Sequence, residues 1–186
     1  MTDLNDLERR VQKLEAQIEI RELATAYAVA CDEHDMDRLV SLFTEDACFD
    51  SPSGLMMANG RQAINDMFIE MFKIRGPGYH WTHDVFVRVD DTDLNHATGT
   101  VLSHAETCPA DTVSLAAMKY NDVYRREGGV WRFAKREINF LYYVPVTDYH
   151  KSLTSQQRFY AGGEWRDADY PEKLPVWKAF DATHKS

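Results

Sequence analysis

The first third of the chain alternates apolar and polar residues with the period of an amphipathic helix. Apolar positions recur at intervals of three and four over about the first thirty residues, which predicts one long helix. An N-terminal seam within it has coiled-coil spacing and is made of Leu4, Leu7, Val11, Leu14 and Ile18. Because the seam covers barely two heptads, we expect it to pack on its own domain or on a neighbouring subunit. Two shorter helices are predicted over 36–43, capped by Asp35, and over 61–72.

The second half of the chain changes to patterns that are typical of β-strands. A brief strand is predicted over 47–51, and four long ones over 79–89, 94–107, 112–126 and 130–144, separated by hairpin signals. Helices followed by an antiparallel meander predict an α+β fold, in which the N-terminal helices pack on one face of a curved sheet.

The last part of the chain is mixed in character. Residues 146–186 combine Tyr, Trp, Gly and Pro with one recognisable helix, over about 172–182. We therefore predict a domain over 1–145 and a C-terminal extension over 146–186 that acts as a lid or as an oligomer contact.

Composition narrows the functional classes. The chain has 186 residues, enough for one domain with a real core, and a formal net charge of −9. An acidic surface argues against nucleic-acid binding, and no apolar run approaches the ~20 residues that a membrane span needs. Three cysteines without paired spacing suggest neither a disulfide framework nor a zinc site. The charged N-terminus lacks an apolar signal region, so we expect a cytoplasmic protein.

Asp32 is the first candidate for chemistry. It follows an apolar helical stretch over 23–31, and a carboxylate near a helix C-terminus has the wrong sign for the helix dipole. A compensating partner is therefore expected, and a histidine is a natural one.

Strand alternation predicts which histidine this is. His83 shares its face with Val85 and the other valines of its strand, so we expect it to point inward. His80 falls on the opposite face with Asp84, which predicts exposure and argues against a metal chelate formed by the two histidines. His104, on the next strand, would lie within reach of His83 if the register allows.

Four short segments of the chain resemble segments of one known superfamily. They are residues 31–39, 81–83, 96–104 and 124–133. Over about residues 10–145 the chain resembles the SnoaL-like branch of the nuclear transport factor 2-like (NTF2-like) superfamily, and within it the scytalone dehydratases and hexachlorocyclohexane dehydrochlorinases. The resemblance places Asp32 on a catalytic aspartate, His83 on the catalytic base and His104 on a second catalytic histidine. It places Arg136 on an active-site arginine of the dehydrochlorinases.

The resemblance implies a cone of curved sheet, closed by helices, around a largely apolar pocket. It also implies that no cofactor or metal is needed, and that the chain forms a homo-oligomer, with a trimer favoured over a dimer. The substrate would be small and hydrophobic, with an aromatic or cyclic skeleton. Scytalone dehydratase has tyrosines at the positions of Cys31 and Ser51 and an asparagine near Tyr120, so only the class of chemistry is carried over. Candidate substrate-binding residues are Tyr27, Cys31, Ser51, Tyr120, Phe140 and Tyr142.

These residues suggest a lyase of the dehydratase or dehydrohalogenase kind, acting on a hydrophobic compound. His83 would remove a carbon-bound proton, Asp32 would orient it, His104 would assist the leaving group and Arg136 would stabilise negative charge. Three alternatives stay open. The first is a retro-aldol lyase that releases formaldehyde. The second is an isomerase or cyclase similar to ketosteroid isomerase and polyketide cyclases, and the third is a non-catalytic ligand-binding module.

Overall fold

The computed structural model describes residues 3–185, so the outermost residues of the two predicted segments, 1–2 and 186, lie outside it. The helices are α1 (Leu4–Glu33), α2 (Met36–Ser41), α3 (Arg61–Arg75), α4 (Lys151–Thr154) and α5 (Pro175–His184). The strands are β1 (Phe43–Asp50), β2 (Ala58–Asn59), β3 (Gly78–Val89), β4 (His96–Thr107), β5 (Ser114–Glu127), β6 (Val130–Pro145), β7 (Phe159–Ala161) and β8 (Glu164–Arg166). The α+β class, the N-terminal helices and the four long strands are confirmed. The C-terminal helix begins and ends a little later than predicted.

Local signals explain where the first helices begin and end. The Asp3 carboxylate accepts a hydrogen bond from the backbone N–H of Asn5, and α1 stops at His34, which adopts a left-handed conformation with φ 54°. Asp35 then caps α2 as predicted, by accepting from the N–H of Arg38 at 3.0 Å. The chain therefore turns sharply just after Asp32, which is held near the C-terminus of α1.

One sheet of eight strands carries the fold. Its main path runs β2-β1-β6-β5-β4-β3, and all neighbours on it are antiparallel except β1 and β6, which are parallel. The predicted antiparallel meander is confirmed for β3 to β6. The short β1 adds a parallel pair with β6, and the chain then crosses from β1 to the far side of the meander through α3. We call the face that packs against α1 the inner face, and the other the outer face.

The inner face and the helices share one hydrophobic core. On the helix side, Ile20, Leu23 and Tyr27 of α1 are buried, and Phe68 of α3 joins them. The sheet contributes mainly aromatic and small side chains, among them Phe133 of β6. The cone interior is thus filled largely by side chains of the protein itself.

Bulges change which residues face inward, and two of them decide the facing of predicted site residues. In β3, Thr82 pairs with Ser103 but Val85 pairs with Val101, so His83 and Asp84 together oppose a single residue, Leu102. In β6, Ala117 pairs with Tyr142 while Met118 pairs with Phe140, which leaves Leu141 as the extra residue. Each bulge reverses the alternation of side chains along its strand.

The C-terminal extension packs against the edge of this sheet. Phe159 of β7 pairs with Tyr143 of β6, and its ring stacks on Phe140 with centroids 4.7 Å apart. The buried Arg158 guanidinium donates to the carbonyl oxygens of Leu141 and Tyr170, at 2.6 and 2.9 Å. Whether the extension acts as a lid or as an oligomer contact stays a prediction.

Within residues 3–185, none of the helices has the length and apolar character that crossing a bilayer demands.

Candidate active site

Asp32 has a histidine partner, as expected, but the partner is His80. The Nδ1 atom of His80 lies 2.6 Å from Oδ1 of Asp32, and the backbone N–H of His80 donates to Oδ2 at 2.8 Å. This two-point contact fixes both the position and the ring orientation of the imidazole. With Nδ1–H donating to the carboxylate, Nε2 is left as the free basic nitrogen.

Arg75 is the third member of the cluster. Its Nη2 lies 3.3 Å from Oδ1 of Asp32 and 3.5 Å from Nδ1 of His80. Its Nε is buried and has no hydrogen-bond partner among the described residues. Gly78 makes this placement sterically possible, because a Cβ there would lie 2.5 Å from Nη2 of Arg75.

The surroundings favour an ionised aspartate beside a neutral histidine. Burial acts to raise the pKa of Asp32, but the hydrogen bonds from His80 and the charge of Arg75 outweigh it and lower that pKa. Burial lowers the pKa of His80; the hydrogen bond to Asp32 opposes this shift, while the charges of Arg75 and Arg136 add to it. A neutral imidazole with an oriented Nε2 is the form that can accept a proton.

His83 and His104 do not join this cluster, which corrects the predicted pocket. They meet on the outer face, where Nε2 of His83 lies 2.8 Å from Nδ1 of His104, and both are exposed. The two are within reach of each other, as expected. Their placement inside the pocket is wrong, because the bulge at His83 and Asp84 puts His80 on the valine side of β3 and His83 on the opposite side.

Arg136 lies inside the cone, fully buried. Its guanidinium carbon is 3.9 Å from the ring centroid of Tyr120 and 4.1 Å from that of Tyr27. Its Nη2 lies 3.3 Å from Oδ2 of Asp122, which also accepts a hydrogen bond from the Tyr124 hydroxyl at 2.8 Å. Nε and Nη1 of Arg136 have no partner among the described residues. The interior therefore has a buried charge pair beside the aromatic rings.

The predicted substrate-binding residues divide between the two faces. Tyr27 and Tyr120 line the interior around Arg136, and Cys31 is buried beside Asp32 in sequence, where burial raises its pKa to about 12. Ser51 is buried in the turn after β1, with its hydroxyl 2.6 Å from that of Ser53. The remaining two residues lie near the C-terminal extension.

Phe140 stacks on Phe159 at the inner face. Tyr142 lies on the outer face instead, 6.3 Å from His104 between ring centroids, because the bulge at Leu141 turns it away from the interior. Its assignment to an inner pocket is wrong.

Two cavities within residues 3–185 lie away from Asp32 and His80. One, of about 390 Å³, is lined by outer-face residues including Phe86 and Lys135. The other, of about 520 Å³, lies between α5 and the segment that precedes it. Among residues 3–185, no group of three or more His, Cys, Asp or Glu side chains is placed to hold a metal ion.

Sequence reasoning missed His80 and Arg75. Regular alternation assigned His80 to solvent. Arg75 lies three residues beyond the predicted end of its helix, at 72, whereas the helix extends to Arg75 in the structure. The adjacent polar pair His83-Asp84 in mid-strand was the one hint of a bulge, and it is compatible with a regular exposed strand as well.

Comparison with known proteins gives a consistent picture. The profile described as a SnoaL-like domain matches residues 12–137. A γ-hexachlorocyclohexane dehydrochlorinase of Sphingobium indicum is 25% identical over 156 residues, which cover 79% of this chain and 92% of that protein.

Two solved structures from Novosphingobium aromaticivorans share the fold. A scytalone dehydratase-like protein has a TM-score of 0.70 at 16% identity, with 89% of this chain and 99% of that chain covered. An NTF2-like protein with a cystatin-like fold has a TM-score of 0.61 at 28% identity, with 74% and 90% covered. Because the profile spans well over half of the sequence, the chain belongs to the SnoaL-like family, within the NTF2-like superfamily.

Proposed function

We propose that this protein is a cofactor-independent lyase in which Nε2 of His80 removes a proton from a carbon atom of the substrate. The observation that carries the proposal is the pairing of His80 with Asp32, through both the ring and the backbone N–H. The distant relationship to a dehydrochlorinase supports elimination as the type of reaction. We therefore assign the role of general base to His80 instead of His83, and Asp32 keeps the orienting role expected from the sequence.

The reaction would be a simple elimination. As His80 takes the proton, the electrons of the C–H bond form the new double bond, and the leaving group departs with its own bonding electrons. Asp32 stabilises the imidazolium that forms, and Arg75 keeps the carboxylate ionised beforehand. The imidazolium then returns its proton to the leaving group or to solvent.

The interior supports a small hydrophobic substrate with a cyclic or aromatic skeleton. Tyr27, Tyr120 and Phe133 pack around Arg136 there, and a substrate would contact their apolar ring faces once side chains have moved. His80 and Asp32 have side chains that are only 10% and 20% exposed, so a substrate reaches Nε2 only when neighbouring side chains move aside. Binding should therefore order or displace side chains at this end of the cone.

The test compares His80→Ala with wild type in heavy water. A panel of γ-hexachlorocyclohexane, aromatic alcohols and β-hydroxy ketones is followed by mass spectrometry for loss of the leaving group and for deuterium uptake. Loss of a general base typically costs about 10²–10⁴-fold in turnover, which is the expected effect of His80→Ala.

His83→Ala is the matched control, since it removes an exposed imidazole from the other face of the same strand. It should stay within a few-fold of wild type. If His83→Ala abolishes turnover while His80→Ala retains it, the proposal is wrong.

A retro-aldol lyase is the second candidate, because the same base could take the hydroxyl proton of a β-hydroxy ketone. The O–H electrons would form the carbonyl of formaldehyde, the carbon–carbon bonding electrons would pass to the ketone as an enolate, and the imidazolium would protonate that enolate. The same panel separates the two reactions. Formaldehyde from the β-hydroxy ketones would identify the cleavage, whereas loss of water or halide identifies elimination.

A further inference from the structure

The N-terminal seam is an apolar stripe that α1 leaves open. Its five members are between 44% and 80% exposed, whereas Ala16 and Ile20 of the same helix are buried against the domain. The seam was expected to pack either on its own domain or on a neighbouring subunit. Its exposure shows that it does not pack on its own domain. A partner outside the chain is left to cover it.

The opposite side of α1 holds the helix on the domain. Arg9 and Lys13 both bind Asp91 in the turn after β3, and Glu19 pairs with Arg126 at 3.8 Å. With heptad positions a and d assigned to the seam, these contacts fall on positions b, c and f, which lie on the far side of the helix. A second helix can therefore lie along the seam without meeting the domain that carries it.

The charges that flank the seam select the partner and its direction. Arg10 occupies a g position and Glu15 the e position of the next heptad, so in a parallel, in-register pair each Arg10 faces the partner's Glu15. In an antiparallel pair e faces e, which would place Glu8 and Glu15 of one copy against the same acidic residues of the other. Asp3, at the preceding g position, would face Glu8 as a like charge, but it is the N-cap residue and lies outside the first turn of α1. The Arg10–Glu15 contacts, two in each dimer, therefore make the chain a better match for a parallel copy of itself than for an antiparallel one.

The apolar residues of the seam select the number of strands. Position a carries the β-branched Val11 and Ile18 after Leu4, and position d carries leucine at Leu7 and Leu14. β-Branched residues at a with leucine at d favour two strands over three. The seam thus favours a dimer, in contrast to the trimer expected from the family resemblance.

We propose that two copies of this chain associate through their N-terminal seams as a parallel, in-register, two-stranded coiled coil. A free peptide of two heptads would form such a coil poorly, because helix nucleation is unfavourable. Here the seam belongs to a helix of 30 residues whose C-terminal half is packed in the core, so the helix is already nucleated. The proposal is independent of the lyase reaction.

The direct test is cross-linking through Leu7→Cys at position d. In a parallel pair the two new thiols lie opposite each other, and mild oxidation with oxidised glutathione should give a disulfide-linked dimer on a non-reducing gel. Gln12→Cys, exposed at position b of the same helix, is the matched control and should cross-link at least about tenfold more slowly. The wild-type protein, treated in the same way, shows how much cross-linking comes from the native cysteines Cys31, Cys48 and Cys108.

Charge and apolar variants test the interface by sedimentation equilibrium. Arg10→Glu or Glu15→Lys alone should raise the dimer dissociation constant several-fold, and the double variant should return it close to the wild-type value. Leu14→Lys should raise it at least about tenfold. Since these side chains are exposed, circular dichroism of each variant should match wild type.

Two results would overturn the proposal. One is Leu7→Cys cross-linking no faster than Gln12→Cys. The other is Leu14→Lys leaving the solution mass of the protein unchanged at every concentration, which would place any self-association on a different face.

Discussion

At the scale of single residues, the pKa of His80 is lowered chiefly by burial, and the charge of Arg75 adds to that effect. A carboxylate beside an imidazole ordinarily raises its pKa, because it stabilises the imidazolium. In this protein Arg75 lies within 3.5 Å of both Asp32 and His80, and its fixed charge opposes that effect. Arg136 adds to it from β6, and burial acts in the same direction. Arg75 therefore positions the pair and, together with burial and Arg136, favours the neutral, basic form of His80.

Arg75→Met should raise the pKa of His80. Without the guanidinium, only burial and Arg136 oppose the carboxylate of Asp32, so the imidazolium persists to higher pH. A rate that needs neutral His80 should then begin to fall at a higher pH as the solution is acidified. The measurement is an NMR titration of the His80 ring, which needs no substrate. Arg88→Met, an exposed arginine on the same strand as His80, should leave that pKa unchanged.

Gly78→Ala approaches the same question without removing the charge. The added Cβ would lie 2.5–3.0 Å from three atoms of the Arg75 guanidinium group, so the end of that flexible side chain must move away from Asp32. The pKa of His80 should therefore rise in this variant too. A value unchanged in both variants would show that Arg75 does not control the imidazole.

At the scale of elements, the sequence predicted the strands well and their faces poorly. Hydrophobic pattern and turn signals placed the four long strands within about two residues of where they lie. The face of the sheet to which each side chain points was deduced from strict alternation along the strand. A single extra residue, as in a bulge, exchanges the two faces for the rest of that strand. His80 and Tyr142 were assigned to the wrong faces for this reason, since the bulges at His83-Asp84 and Leu141 depend on pairing across strands.

The C-terminal extension depends on one buried arginine. Arg158 donates to the carbonyl oxygens of Leu141, Ser155 and Tyr170, and its Nη2 lies 2.7 Å from a carboxylate oxygen of Glu172. Its charge is thereby compensated, while four backbone and side-chain groups are tied to one point beside β6.

Arg158→Ala should loosen the extension while the main domain stays folded. Hydrogen bonds that involve a charged group contribute about 1.5–3 kcal/mol each when measured singly, so a loss of a few kcal/mol of local stability is expected. Limited proteolysis should then cut between about residues 146 and 174 in the variant before it cuts the sheet. Arg166→Ala, a more exposed arginine in the same extension, is the control and should be cut like wild type.

At the scale of the whole molecule, the family resemblance and the hydrophobic pattern predicted the fold. Which side chains fill the interior of the fold could be seen only in the structure. Tyr27, Tyr120 and Arg136 come from a helix and two different strands, and no sequence spacing indicates that the guanidinium would lie between the two rings. The resemblance suggested an open apolar pocket. The protein instead places a charge pair, Arg136 with Asp122, in the middle of its core.

Breaking that pair from one side should strongly destabilise the folded chain. Burial raises the pKa of Asp122, while the charge of Arg136 and the hydrogen bond from Tyr124 act to lower it, and the ionised carboxylate compensates the guanidinium. Removing one partner of a buried pair leaves an uncompensated charge and typically costs about 3–5 kcal/mol, whereas removing both charges is often close to neutral. Asp122→Asn should therefore be severely destabilising in urea unfolding, and adding Arg136→Met should restore most of the loss. If the two substitutions are instead additive, the pair does not act as a unit, and the unpartnered nitrogens of Arg136 are compensated from elsewhere.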